Sequence, residues 1–222
     1  MTAKKTTTAK TKNSKEKIIS VYMKAVLTTE SKPRSIFKFC LENNIQETDF
    51  YKFFGSFEAL QKAIWTDFFI HSLKLSQQAE DYEKFGNKDK MLVFFYTFFE
   101  MLTANRSYVL FVLEEPKDIM KNMSQLKELR GHIKKHAASL IEEQNDTQQL
   151  KILKHPAKIF SEGAWIQTMF ILKYWMEDSS PSFEKTDLVI EKSVRVIFDV
   201  FETAPLASVV DFGKFLWKET MV

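Results

Sequence analysis

The chain has 222 residues, 45% hydrophobic and 27% charged, with a net charge of +3. That apolar content at so small a net charge excludes a disordered chain, and five glycines with five prolines are too few for a turn-rich β fold. What remains is one sizeable helical domain, or a small headpiece on a larger helical body.

Charge is spread unevenly. Residues 1–65 hold twelve Lys/Arg against six Asp/Glu, a net of +6, and residues 66–222 carry a net of −3. A basic end on a slightly acidic body is the layout of a protein that touches a polyanion at that end. Cys40 is the single cysteine, so no intramolecular disulfide forms, which fits a cytoplasmic setting. Met1 to Lys17 has no apolar core and does not read as a secretory signal. The Phe-rich run from Met91 to Leu102 is too short to span a bilayer.

Residues 1–14 carry Lys4, Lys5, Lys10 and Lys12 among small polar residues and read as a basic arm. Ser14 is the N-cap candidate of a first helix, with Ile18, Tyr22, Ala25 and Val26 on one face. Pro33 ends it, and Ser35 is placed to cap a second helix whose apolar face is Ile36, Phe39 and Cys40. Asn43-Asn44 follows, and asparagine tolerates the left-handed conformation of a tight turn. A third short helix is expected from about Gln46 to Phe53. Ser56 then caps a long helix bearing Leu60, Ile64, Trp65 and Phe68. Further helices are predicted at about Asp89–Ala104, Tyr108–Leu113, Ile119–Gln144, His155–Glu177, Phe183–Glu202 and Leu206–Thr220. Pro156, Pro181 and Pro205 stand near the starts of the last three, where proline is tolerated.

The spacing of the first 65 residues carries a physical expectation of its own. Two short helices joined at Asn44 make a compact corner that small Cys40 lets close, with Ile45, Phe50 and Phe54 filling its core. The stretch from Phe39 to Leu60, and Tyr51-Lys52-Phe53-Phe54-Gly55-Ser56-Phe57-Glu58-Ala59-Leu60 above all, resembles the headpiece of tetracycline-repressor (TetR) family regulators. Ile45 stands for that family's valine, Phe50 for its leucine and Cys40 for its small alanine. The resemblance implies an all-α protein with a three-helix helix-turn-helix headpiece at residues 15–65. A helical effector-binding and dimerisation domain would follow at residues 66–222.

In a helix-turn-helix the second short helix enters the major groove. Here that helix would present Gln46, Glu47, Thr48, Tyr51 and Lys52, with Ser35 at the start of the helix before it. Gln46 and Thr48 are the candidates for base edges, and Tyr51 and Lys52 for phosphates. The chain departs from the family pattern at Asn44, Gln46, Thr48, Asp49 and Phe57, where the family favours Gly, Ser, a small residue, Ser or Thr, and Lys. Glu47 and Asp49 put two carboxylates on the helix that should approach phosphates, and the basic arm is the feature placed to offset them.

In the body, Trp165, Met169, Leu172 and Met176 form one stripe, with Ile166, Phe170 and Trp175 on a second apolar face. The next helix repeats the pattern with Ile190, Val194, Ile197 and Phe201, and Val189, Val196 and Val200 beside them. Helices apolar around more than half their circumference are either core or shared with a partner, and the resemblance favours a four-helix homodimer interface. Phe94, Phe98, Tyr108 and Phe111 are the candidate ligand-pocket residues for a hydrophobic small molecule or lipid, against the commoner alternative that these rings are packing. The helix Leu206–Thr220 is expected to dock on the body, with membrane contact as the alternative.

His132 and His136 stand four apart, but Lys134 and Lys135 between them favour a solvated basic face over a metal site. The chain has no glycine-rich phosphate loop and no nucleophile elbow, so neither enzymatic activity nor a cofactor is expected. The function expected is a homodimeric, ligand-responsive regulator that binds double-stranded operator DNA. The alternative is a protein of the same fold that binds lipid or a partner and has lost specific DNA binding.

Overall fold

The computed structural model describes residues 14–114, 124–147 and 157–203. All regular structure among them is helical, in nine α-helices and two short 3₁₀ turns. The expected helix Leu206–Thr220, the arm residues 1–13 and the stretch 119–123 lie outside the described residues.

The first three helices are α1 (Lys15–Thr29), α2 (Ile36–Glu42) and α3 (Glu47–Phe53). Each of the serine caps expected from sequence is in place. Ser14 Oγ accepts the Lys17 N–H, Ser35 Oγ that of Lys38, and Ser56 Oγ that of Ala59 at the start of α4 (Phe57–Ser76). Each satisfies an orphan donor of a first turn, worth about 1 kcal/mol. Between α2 and α3, Asn44 sits at φ 54°. Its N–H donates to the Leu41 carbonyl and the Ile45 N–H to the Cys40 carbonyl. This paired closure of a helix C-terminus lays Ile45 over Cys40. Cys40, Ile45, Phe50 and Phe54 are all buried, so the corner closes on the residues the spacing marked.

α4 joins this corner to the rest. Near its start Gln61 Nε2 donates to the Tyr22 hydroxyl (2.7 Å), and further along Asp67 pairs with Lys15 at 2.6 Å. It then packs against α5 (Asn87–Ala104) and α7 (Lys127–Thr147). α6 (Arg106–Glu114) lies between α1 and α5. Gln125 ties the joint together, since its Oε1 accepts from Trp65 Nε1 at 3.0 Å and its Nε2 donates to the Val112 carbonyl. α8 (Ala157–Glu177) packs along α7, and α9 (Glu184–Thr203) covers α5 and α8. At the α8–α9 corner, Arg106 caps the α8 C-terminus through the carbonyls of Trp175, Met176 and Asp178 and lies on the rings of Trp175 and Phe183. The Asp178 carboxylate accepts from Ser180 and from the backbone and hydroxyl of Thr186, holding the first turn of α9.

The structure corrects the reading of the paired histidines. Both are half-buried and packed on rings of the core: His132 stacks on Phe69 at 5.1 Å, and His136 lies 5.0 Å from the ring of Phe94. Burial lowers the pKa of His136 to about 4, so it is neutral at neutral pH.

Candidate functional site

The corner built by α2 and α3 has a core of aromatic rings. Phe50 meets Phe39, Phe54 and Phe57 edge-on or tilted, at centroid distances of 6.3, 5.7 and 5.7 Å, and Tyr22 of α1 lies 5.5 Å from Phe57. Such contacts favour a fixed angle between short helices that could not hold one alone. Phe57, which stands where a lysine would face phosphate, therefore belongs to the joint between headpiece and α4. Its role was not legible from the motif, because the motif gave the position and not the direction of the side chain.

This brace turns one side of α3 outward. Gln46, the N-cap residue, and Thr48, Tyr51 and Lys52 are exposed, and Glu47 is half-buried. Ser35 is exposed at the head of α2, with its hydroxyl oxygen already accepting the Lys38 N–H. Thr48, Tyr51 and Lys52, three and four residues apart, share the outer face of α3. Charges on α2 and α3 are partly spent on each other. Lys52 Nζ binds Asp49 at 2.6 Å, and on α2 Lys38 lies 3.6 Å from Glu42. Desolvation, with a hydrogen bond to Glu47 and the charge of that carboxylate, raises the pKa of Tyr51, whose hydroxyl is a neutral donor. α2 and α3 also expose apolar surface that the sequence reading did not single out. Phe37 and Leu41, one turn apart on α2, are 62% and 67% exposed, and Phe53 is exposed on α3.

The residues expected at a subunit interface divide. Leu172, Ile190 and Val194 are buried within their own chain, so they serve the core of α5, α8 and α9. Trp165, Met169, Met176 and Ile197 are half-buried against that core. Phe201 is on α9, but its side chain lies outside the described ones. The outward residues are instead Ile166 and Phe170 on α8 and Leu188, Val196 and Val200 on α9. Hydrophobic period identifies both stripes on each helix. Only the packing against α5 and α7 shows which stripe is left for solvent.

Of the pocket candidates, Phe94, Phe98 and Tyr108 are buried, Phe94 and Phe98 with their rings stacked at 5.8 Å, and Phe111 is half-buried. The Tyr108 hydroxyl has no hydrogen-bond partner among the described residues, and burial raises its pKa well above the usual phenol value. A groove of about 690 Å³ lies elsewhere, between α1 and the α4–α5 pair, and none of these four residues lines it.

Among curated proteins, none matches the chain. Residues 90–216 match the family model described as tetracyclin repressor-like, C-terminal domain. That stretch begins in α5 and runs through α9, and it covers more than half of the chain. With an all-helical body of the matching kind behind a helix-turn-helix corner, the protein belongs to the tetracycline repressor-like family of regulators.

Proposed function

We propose that this chain is a homodimeric regulator that binds operator DNA through α2 and α3 and responds to a hydrophobic small molecule. The observation that carries the reading is the braced corner, with Gln46, Thr48, Tyr51 and Lys52 turned outward together on a chain whose body is of the repressor-like family. Gln46 and Thr48 reach for base edges, Tyr51 and Lys52 for phosphates, and Ser35 for the backbone near the start of α2. The apolar outer residues of α8 and α9, with Trp165, Met169 and Ile197 at their margin, form the surface for a second copy. The two corners then meet half-sites about one helical turn apart.

Fluorescence anisotropy with DNA from upstream of the protein's own coding sequence, titrated between about 50 and 200 mM salt, tests the DNA step. Phosphate contacts require binding that weakens steeply with salt. Binding that is absent, or indifferent to salt, sinks the proposal.

A second reading rests on a specific observation. The pairs Lys52–Asp49 and Lys38–Glu42 offset charge on α3 and α2, and Phe37, Leu41 and Phe53 are exposed on the same two helices. Such a surface suits a protein of this fold that binds lipid or a partner in place of DNA. Native mass spectrometry of gently purified protein separates the two, since a retained lipid supports the second reading and an empty protein with tight operator binding excludes it.

A further inference from the structure

We propose that the groove between α1 and the α4–α5 pair binds a single-chain amphipathic anion, a free fatty-acid carboxylate. Its chain lies on an apolar floor and its head group meets Lys24. At about 690 Å³ the groove lies within the range of small-molecule sites, which combine apolar walls with a few polar groups. Ile19, Met23 and Leu27 on α1, Phe68 on α4 and Met101 on α5 make the apolar surface. Two of these are unbranched thioethers, which adapt to the contour of a flexible chain.

The charges at the rim select the sign of the head group. Asp67 is already held by Lys15 at 2.6 Å. Glu16 is at the same end of the groove, kept ionised by a backbone hydrogen bond and by Ser14, with Lys15 and His71 nearby. Lys24, two turns along α1 from Glu16, is exposed and has no ion-pair partner among the described residues. An anion therefore gains at Lys24, the end of the groove away from Glu16, while Asp67 is already offset by Lys15. Glu16 repels the head group from the other end and so sets the direction of the chain.

The position gives the site a consequence. Its walls belong to α1 of the headpiece and to α4 and α5 of the body, so an occupant changes the freedom of one against the other. The effect on operator affinity rests on the DNA-binding reading above; the binding of the anion does not.

Isothermal titration of the full chain with sodium laurate, below its micelle concentration and without DNA, tests the site. Saturable binding of one laurate per chain is expected. Lys24→Glu weakens it by about tenfold or more, as does exchange of laurate for dodecyltrimethylammonium, a loss of at least about 1.4 kcal/mol. Ser20→Trp, which puts an indole into the groove from an exposed position, abolishes it. Both positions are exposed, so far-UV circular dichroism and Tm should stay at wild-type values; if Ser20→Trp fails to fold, Lys24→Glu decides alone. No saturable binding, equal affinity in the wild type and Lys24→Glu, or equal binding of the cationic amphiphile would each overturn the proposal. Because the titration contains no DNA, failure of operator binding leaves a positive result standing. Failure of laurate to bind likewise leaves the operator reading untouched.

Discussion

Asn44 holds the turn between α2 and α3 at φ 54°, a conformation in which a Cβ crowds the following carbonyl and asparagine is the most tolerant residue after glycine. Asn44→Ala keeps the chain length and the buried contacts and loses only that tolerance. The expected effect is a loss of about 1 kcal/mol in urea unfolding at unchanged m-value. Tyr108 makes the opposite case. Its hydroxyl is buried with no partner among the described residues, a state that costs on the order of 1–3 kcal/mol. Tyr108→Phe should therefore raise stability by about 1 kcal/mol in the same assay. A decrease would mean that the hydroxyl is satisfied in solution, by water or by a bound molecule. Nothing in the local sequence marked Tyr108 as unsatisfied, because a tyrosine at a helical apolar position reads the same whether or not a partner faces it.

At the scale of the element, α3 is a helix whose surface chemistry is divided against its proposed task. Asp49 is the more buried member of its pair with Lys52, at 13% side-chain exposure against 56%, so the carboxylate anchors the ammonium along the helix. Asp49→Asn releases Lys52 and removes a charge that repels phosphate. The expected result is operator binding tightened by roughly 3- to 10-fold at about 100 mM salt, with the slope of log K against log salt steeper by about 1. An unchanged slope in the anisotropy titration would show that Lys52 does not reach phosphate. The elements themselves were readable in advance, since Ser14, Ser35 and Ser56 cap where expected and α5, α8 and α9 begin within a few residues of the predicted starts. Capping is a local property of a few consecutive residues, and so it survives in sequence. The pairing of Lys52 with Asp49 is equally local, at i and i+3, and sequence spacing could have found it.

For the whole molecule, stability depends on groups that folding takes out of water. His136 lies against Phe94 and Phe69 between α4, α5 and α7, with its Nε2 unpartnered among the described residues and its pKa lowered by burial from 6.5 to about 4. Above about pH 6.5 neither the folded nor the unfolded chain protonates it, and it has no effect on the pH dependence. Below that the unfolded chain takes up a proton that the folded one refuses, so stability falls progressively between about pH 6.5 and pH 4. Asp178 contributes outside this window. Burial works against its charge, yet donors from Thr186 and Ser180 prevail and hold its pKa at about 2, so its contribution fades only as pH falls from the ordinary value of 3.8 towards 2. Thermal unfolding between pH 7 and 5 should show a falling Tm in the wild type and a flatter profile in His136→Phe. Parallel profiles would refute the assignment to His136.

What the sequence determined by itself was the helical class, the caps, the turn at Asn44 and the set of residues that fills the headpiece corner. All of these follow from periodicity and from interactions within one helical turn or one loop. Which apolar stripe of α8 and α9 is left outward was decided only in three dimensions. So were the packing of His132 and His136 on core rings, the packing of Phe57 against the headpiece core in place of a phosphate contact, and the groove beside α1. Each depends on the angle at which helices distant in the chain meet. That angle is set by the joint packing of rings such as Phe39, Phe50 and Phe57, and no single segment encodes it.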